Sequence, residues 1–202
     1  MNTTRISLIG LLQAGDPNGW DRFTHLYRRH IDFWAKKNGT ADQDFDDVCQ
    51  QVYRVMVEKI DEFQSRERKG SFRCWLKSIT RFVCLEQKRK QGGPTTGKGG
   101  TEAAIQLKNF ADPDQDYYED EPDPVELDND LFRRAINLVR SESSSRDWSV
   151  VEMVVIEGKS PNDIADALNL KPATVRKIKS RFLLHLRKEL GGYDENLSLD
   201  CS

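Results

Sequence analysis

Apolar residues along this chain recur at spacings of three and four, the period of helices buried on one side, and the alternation expected of strands is nearly absent. A first helix is predicted over Arg5–Gln13, ended by the breaker Gly15-Asp16-Pro17. Asp16 or Asn18 can cap the next, in which Trp20, Phe23, Tyr27, Ile31 and Trp34 form a core stripe that runs to Asn38-Gly39. A third helix starts within Asp42–Asp47, where negative side chains favour the positive end of the helix dipole. Val48, Val52, Val55, Met56 and Ile60 are its inner face, down to about Phe63. After a polar loop, Gln64–Gly70, a fourth helix begins near Ser71 and turns Phe72, Trp75, Leu76, Ile79, Val83 and Leu85 inward.

Periodicity then stops. Gly92–Gly100, GGPTTGKGG, reads as a flexible connector, and Asp112–Asp130 is acidic and carries Pro113, Pro122 and Pro124, which favours extended or disordered chain. The pattern resumes with a helix over about Leu127–Ser141, the segment Trp148–Glu157, and the run SPNDIADALNLKPATVRKIKSRF, Ser160–Phe182. In that run Ile164, Ala165 and Leu168 form the apolar edge of a short helix and Leu170 closes a corner. Pro172 suits the first turn of a second helix, whose buried stripe is Val175, Ile178, Phe182 and Leu186. The expected fold is all-α: two small helical domains, residues 1–91 and 126–190, joined by a flexible acidic linker over 92–125, with a tail over 191–202.

Charge changes the picture more than composition does. The formal net charge is only −2, yet residues 66–89 hold eight Lys/Arg against two Glu, and residues 112–130 hold ten Asp/Glu with no Lys/Arg. Segregation of this kind gives different surfaces different partners. From Lys171 to Lys188 there are seven Lys/Arg and no Asp/Glu, which an ordinary solvated helix would intersperse, so the corner and second helix read as a DNA-binding helix-turn-helix. Ala173 and Thr174 are short enough for close approach to base edges, and Lys171, Pro172, Arg176, Lys177, Lys179 and Arg181 complete the DNA-facing set.

Other chemistry is scarce. Cys49, Cys74, Cys84 and Cys201 form no C-x-x-C pair, and His25, His30 and His185 lack ligand spacing around them, so no zinc site, cofactor or catalytic residue is expected; the thiols are read as buried, apart from Cys201, which is incidental in a polar tail. No apolar run approaches the roughly 20 residues that span a bilayer, and no secretory signal layout is present, so the chain is expected in the cytoplasm without membrane insertion.

In the first domain, Arg66, Arg68, Lys69, Phe72, Arg73 and Trp75 combine cations with aromatic rings, the materials that hold single-stranded nucleic acid; Arg81, Lys88 and Arg89 can follow phosphates. Phe72 and Trp75 suit core packing equally well. Asp46 with Gln50, and Asp47 with Gln51, pair at a spacing of four on neighbouring faces, which suits a basic helical partner or, more simply, capping and solvation. Two rival classes remain: a stand-alone helix-turn-helix repressor, which has no need of the basic fourth helix, and a metal-dependent nuclease built on Asp42, Asp44, Asp46 and Asp47, whose carboxylates diverge around a helix start.

Three segments in this order resemble the bacterial extracytoplasmic-function sigma factors. DDVCQQVYRVM, Asp46–Met56, is similar to the helix with which that family grips the polymerase clamp; GSFRCWLKSITR, Gly70–Arg81, resembles its promoter-opening helix; Ser160–Phe182 sits where its fourth region reads the upstream element. The resemblance implies core RNA polymerase and promoter DNA as partners, with an anti-sigma factor as a further partner class. It implies polymerase binding by Asp46, Asp47, Gln50 and Gln51, and engagement and melting of the downstream element by Arg66, Arg68, Lys69, Phe72, Arg73, Trp75, Arg81, Lys88 and Arg89. The chain departs from the pattern at Phe82, where Asn is common, at Glu86 in place of Asp, and at Asn169 in place of Gly. Asn tolerates the left-handed conformation that such a corner needs.

Overall fold

The computed structural model describes residues 6–63, 71–91 and 123–191, and among these there are eight α-helices and no strand. Helix α1 (Leu8–Gln13) starts where the Ser7 hydroxyl accepts a hydrogen bond from the Gly10 N–H at 3.2 Å. Its predicted start at Arg5 lies outside the described residues. Helix α2 (Pro17–Lys37) is capped by Asp16, which accepts from the Asn18 N–H at 2.8 Å, and Pro17 takes the first helical position. Gly19 is buried where α2 meets α1, and a Cβ there would stand 2.6 Å from Leu11 Cβ, so only glycine allows this approach.

Helix α3 (Phe45–Lys59) lies between single 3₁₀ turns at Asp42–Asp44 and Ile60–Glu62, and α4 (Ser71–Gln91) packs across both α2 and α3. The predicted stripes meet in one core: Phe23, Tyr27, Ile31 and Trp34 from α2, Val48, Val52 and Met56 from α3, and Phe72, Trp75, Leu76, Ile79 and Val83 from α4. Trp20 and Val55 are half-buried at its edge. Leu85 is a correction, being 43% exposed. At 100° per residue Phe82, three positions after Ile79, turns inward in its place and is buried with Cys84.

The second unit comprises α5 (Val125–Ser141), α6 (Ser145–Val155), α7 (Pro161–Ala167) and α8 (Pro172–Glu189). Helix α5 begins two residues before its predicted start, directly after the extended Pro124. Helix α6 begins earlier than Trp148 because Ser144 caps it, accepting from the Asp147 N–H at 3.1 Å. Leu131, Ala135 and Val139 pack with Val150, Val151 and Val154 and with the stripe of α8.

The two units lie against each other, α2 on α5 and α1 beside α8. Arg22 of α2 pairs with Glu142 and, at 2.7 Å, with the buried Glu189, while Arg29 lies 3.0 Å from Asp130. The Arg134 guanidinium donates to the His25 carbonyl at 2.6 Å. Residues 92–122 of the expected linker lie outside the described residues; Asp123, near its end, rests on Trp34 and Arg73.

Candidate nucleic-acid interface

The helix-turn-helix is built by local signals. Ser160 caps α7 by accepting from the Asp163 N–H at 3.2 Å, and Pro161 opens the helix. Asn169 then takes a φ of 51°, the left-handed value anticipated for it, and the Leu170 N–H closes the turn on the Ala165 carbonyl at 2.7 Å. Pro172 starts α8, and Val175, Ile178, Phe182 and Leu186 are all buried. That fixed stripe leaves Lys171, Ala173, Arg176, Lys177 and Arg181 exposed, with Pro172, Thr174 and Lys179 half-buried between them. Arg181 has an acid at hand, Asp147 at 3.6 Å. A cationic face on a helix whose N-terminal turn carries only small side chains fits a major groove.

On the first unit, Asp46, Asp47 and Gln50 are exposed on α3 and Gln51 is half-buried. Arg28 of α2 reaches Asp46 at 2.6 Å and Asp32 at 2.8 Å. Burial works against its charge, but these hydrogen bonds outweigh it and hold the guanidinium firmly cationic.

Arg66, Arg68 and Lys69 lie outside the described residues. The remaining candidates separate by depth. Phe72 and Trp75 are 1% and 5% exposed and belong to a ring cluster with Phe63, whose centroid lies 5.6 and 4.8 Å from theirs, so neither presents a face to a base in this arrangement. Arg81, Lys88 and Arg89 are exposed along α4, and Arg89 pairs with Glu86 at 2.8 Å. Arg73 is drawn into the seam between the units. Its Nη2 lies 2.5 Å from Asp123 Oδ2 and 2.6 Å from Asp128 Oδ1.

Asp123 also accepts from Trp34 Nε1 at 2.9 Å, and Lys77 Nζ stands 3.7 Å away. Burial opposes ionisation of Asp123, yet the hydrogen bonds from Arg73 and Trp34 bring its pKa below the usual carboxylate value. His30 beside it is fully buried, and neither ring nitrogen has a hydrogen-bond partner. Burial, helped by the Arg73 charge, lowers its pKa to about 4, so it is neutral at pH 7. Sequence reading missed Arg22, Tyr27, Arg29, Trp34 and Asp123 as a group, since their pairing runs between units and leaves no periodic trace.

Two sets of possible metal donors converge within 4.8 Å among the described residues, His30–Asp123–Asp128 and Glu142–His185–Glu189. In each an arginine already sits on the carboxylates, Arg73 in the first and Arg22 in the second, which opposes a cation. Asp42, Asp44, Asp46 and Asp47 form no such group. Cys49 and Cys84 are buried free thiols and Cys74 is half-buried. No described helix is long and apolar enough to cross a membrane.

Residues 23–93, from within α2 through the end of α4, match the family model of sigma-70 region 2, while the helix-turn-helix unit lies outside the match. No curated protein and no solved structure matches the chain. The Asp46–Gln51 face and the basic face of α4 therefore both lie within the stretch that is similar to sigma-70 region 2, about a third of the chain.

Proposed function

We infer that the chain is a dissociable sigma factor of the extracytoplasmic-function type. Helix α3 binds core RNA polymerase through Asp46, Asp47, Gln50 and Gln51, and residues 64–70 with the basic positions of α4 engage and open the downstream promoter element. The helix-turn-helix reads the upstream element with Ala173, Thr174, Arg176, Lys177, Lys179 and Arg181. The observation that carries this reading is the pairing of a sigma-70 region 2 match at 23–93 with a second unit in which a buried stripe turns Arg176, Lys177 and Arg181 to solvent.

Stacking on Phe72 or Trp75 has no place in the closed arrangement. Opened strand is held instead by cations, with the ring cluster fixing the start of α4. The test is transcription in vitro with purified core polymerase and a pool of promoter fragments, together with a pull-down of core enzyme. Promoter-specific transcripts that require the chain are expected. A chain that binds DNA but neither co-purifies with core polymerase nor supports transcription would instead be the stand-alone repressor.

A further inference from the structure

Three donors from the sigma-70 region 2 unit converge on one carboxylate of the other unit. Asp123, whose side chain is 4% exposed, accepts from Arg73 Nη2 at 2.5 Å, Arg73 Nε at 3.1 Å and Trp34 Nε1 at 2.9 Å, with Lys77 Nζ at 3.7 Å. Asp128 lies 2.6 Å from the same guanidinium. A guanidinium fork, a neutral N–H and an ammonium point charge form a donor set that a phosphate satisfies as well as a carboxylate does.

We propose that Arg73, Lys77 and Trp34 form a phosphodiester site for DNA, and that Asp123 fills this site in the free chain as an intramolecular competitor. The proposal rests on the reading that this face of the chain engages DNA, and it adds how that face is regulated. Burial makes the exchange one of anion for anion. Lifting Asp123 away with no replacement would leave Arg73 with Asp128 alone and would strip Arg73 Nε and Trp34 Nε1 of their acceptor, which is costly, whereas a phosphate moving in supplies acceptors to both.

The same exchange acts on the whole seam. Asp123, Asp128 and Asp130 lie at or just before the first turns of α5, and they face Arg73, Lys77 and Arg29 of the first unit. Displacing Asp123 therefore removes one of the fastenings that keep α5 on α2, and the helix-turn-helix unit is carried on α5. DNA arriving at α4 loosens the second unit for its own promoter element.

The experiment measures binding of the full chain to a labelled single-stranded DNA oligonucleotide at low salt, by fluorescence anisotropy. Asp123→Asn is expected to bind about tenfold more tightly than the wild type, which corresponds to about nine in ten free molecules being closed. Glu126→Gln loses the same charge from an exposed position one turn away and is expected to bind like the wild type. Adding Arg73→Ala to Asp123→Asn should abolish the gain. An equal gain in Glu126→Gln, or a gain that survives loss of Arg73, overturns the proposal in favour of plain charge repulsion.

A second reading needs no DNA. Amide hydrogen exchange in α5 is expected to quicken in Asp123→Asn and to stay slow in Glu126→Gln, and equal exchange in the two variants overturns the proposal. Failure of the wild type to bind core polymerase would sink the sigma-factor reading by itself, since neither measurement here involves polymerase.

Discussion

The Tyr27 hydroxyl donates to the Leu190 carbonyl at 3.2 Å, tying the middle of α2 to the end of α8. Both residues are buried, so this bond joins the two units away from water. Tyr27→Phe keeps the ring packed against Phe23 and Phe72 and removes only the hydroxyl. We expect a loss of about 1 to 2 kcal/mol, because the Leu190 carbonyl stays buried with one donor fewer. Urea unfolding followed by circular dichroism measures it.

Gly191 follows that carbonyl with a φ of +61°, and a Cβ placed on it would come within 3.0 Å of Phe72 Cδ1. Gly191→Ala meets both the left-handed backbone and the ring, and should cost about 1 to 3 kcal/mol. Asn169→Ala has only the backbone conformation to contend with, at about 1 kcal/mol. The order of the two midpoints in thermal unfolding, with Gly191→Ala the lower, checks the difference.

His30 makes stability depend on pH. Its folded pKa, about 4, lies below the ordinary 6.5, so between these values the unfolded chain takes up a proton that the folded chain refuses. The contribution is complete above pH 6.5 and is lost as pH falls towards 4. Arg73 and Arg134 oppose the imidazolium, while Asp123 and Asp128 favour it, and burial decides the sign. In His30→Gln the fall of unfolding free energy from pH 7 to pH 4.5 should be shallower than in the wild type; parallel profiles would show that His30 is not excluded from water.

On α8, function and stability should separate cleanly. Arg176→Ala and Lys177→Ala, both exposed, are expected to leave unfolding within about 0.5 kcal/mol of the wild type. Each should weaken binding to the upstream element by about 1 to 3 kcal/mol where the side chain meets a base, and less where it meets phosphate alone. Ile178→Ala, in the buried stripe, should do the opposite, with a loss of about 2 to 4 kcal/mol in stability. Gel shifts and denaturation on the same preparations distinguish these outcomes.

What could be read from the sequence follows from what periodicity records. The stripe Phe23, Tyr27, Ile31, Trp34 and the stripe Val175, Ile178, Phe182, Leu186 each lie within one helix, so spacing alone gives the buried face. The Asn169 corner was legible because few residue types tolerate its backbone angle. Leu85 misled because an apolar residue near a stripe still points wherever its 100° step takes it.

The seam was not legible at all. Arg73 meets Asp123 across 50 positions and Arg22 meets Glu189 across 167, and helical spacing says which face a residue occupies but not what arrives opposite it. Asp123 looked like one more acid in a solvated tether. Its burial comes from tertiary packing that brings the start of α5 beside Trp34 and Arg73.

One contact of α1 bears on the start of the basic segment. The Gln13 amide, at the end of α1, donates to the Ile60 and Phe63 carbonyls, each at 3.0 Å. Phe63 immediately precedes the segment that carries Arg66, Arg68 and Lys69, so a six-residue helix near the N-terminus anchors the point from which that segment sets out. On the proposed reading of that segment, shortening the chain to begin at α2 would blunt strand opening even though every one of its cations is kept.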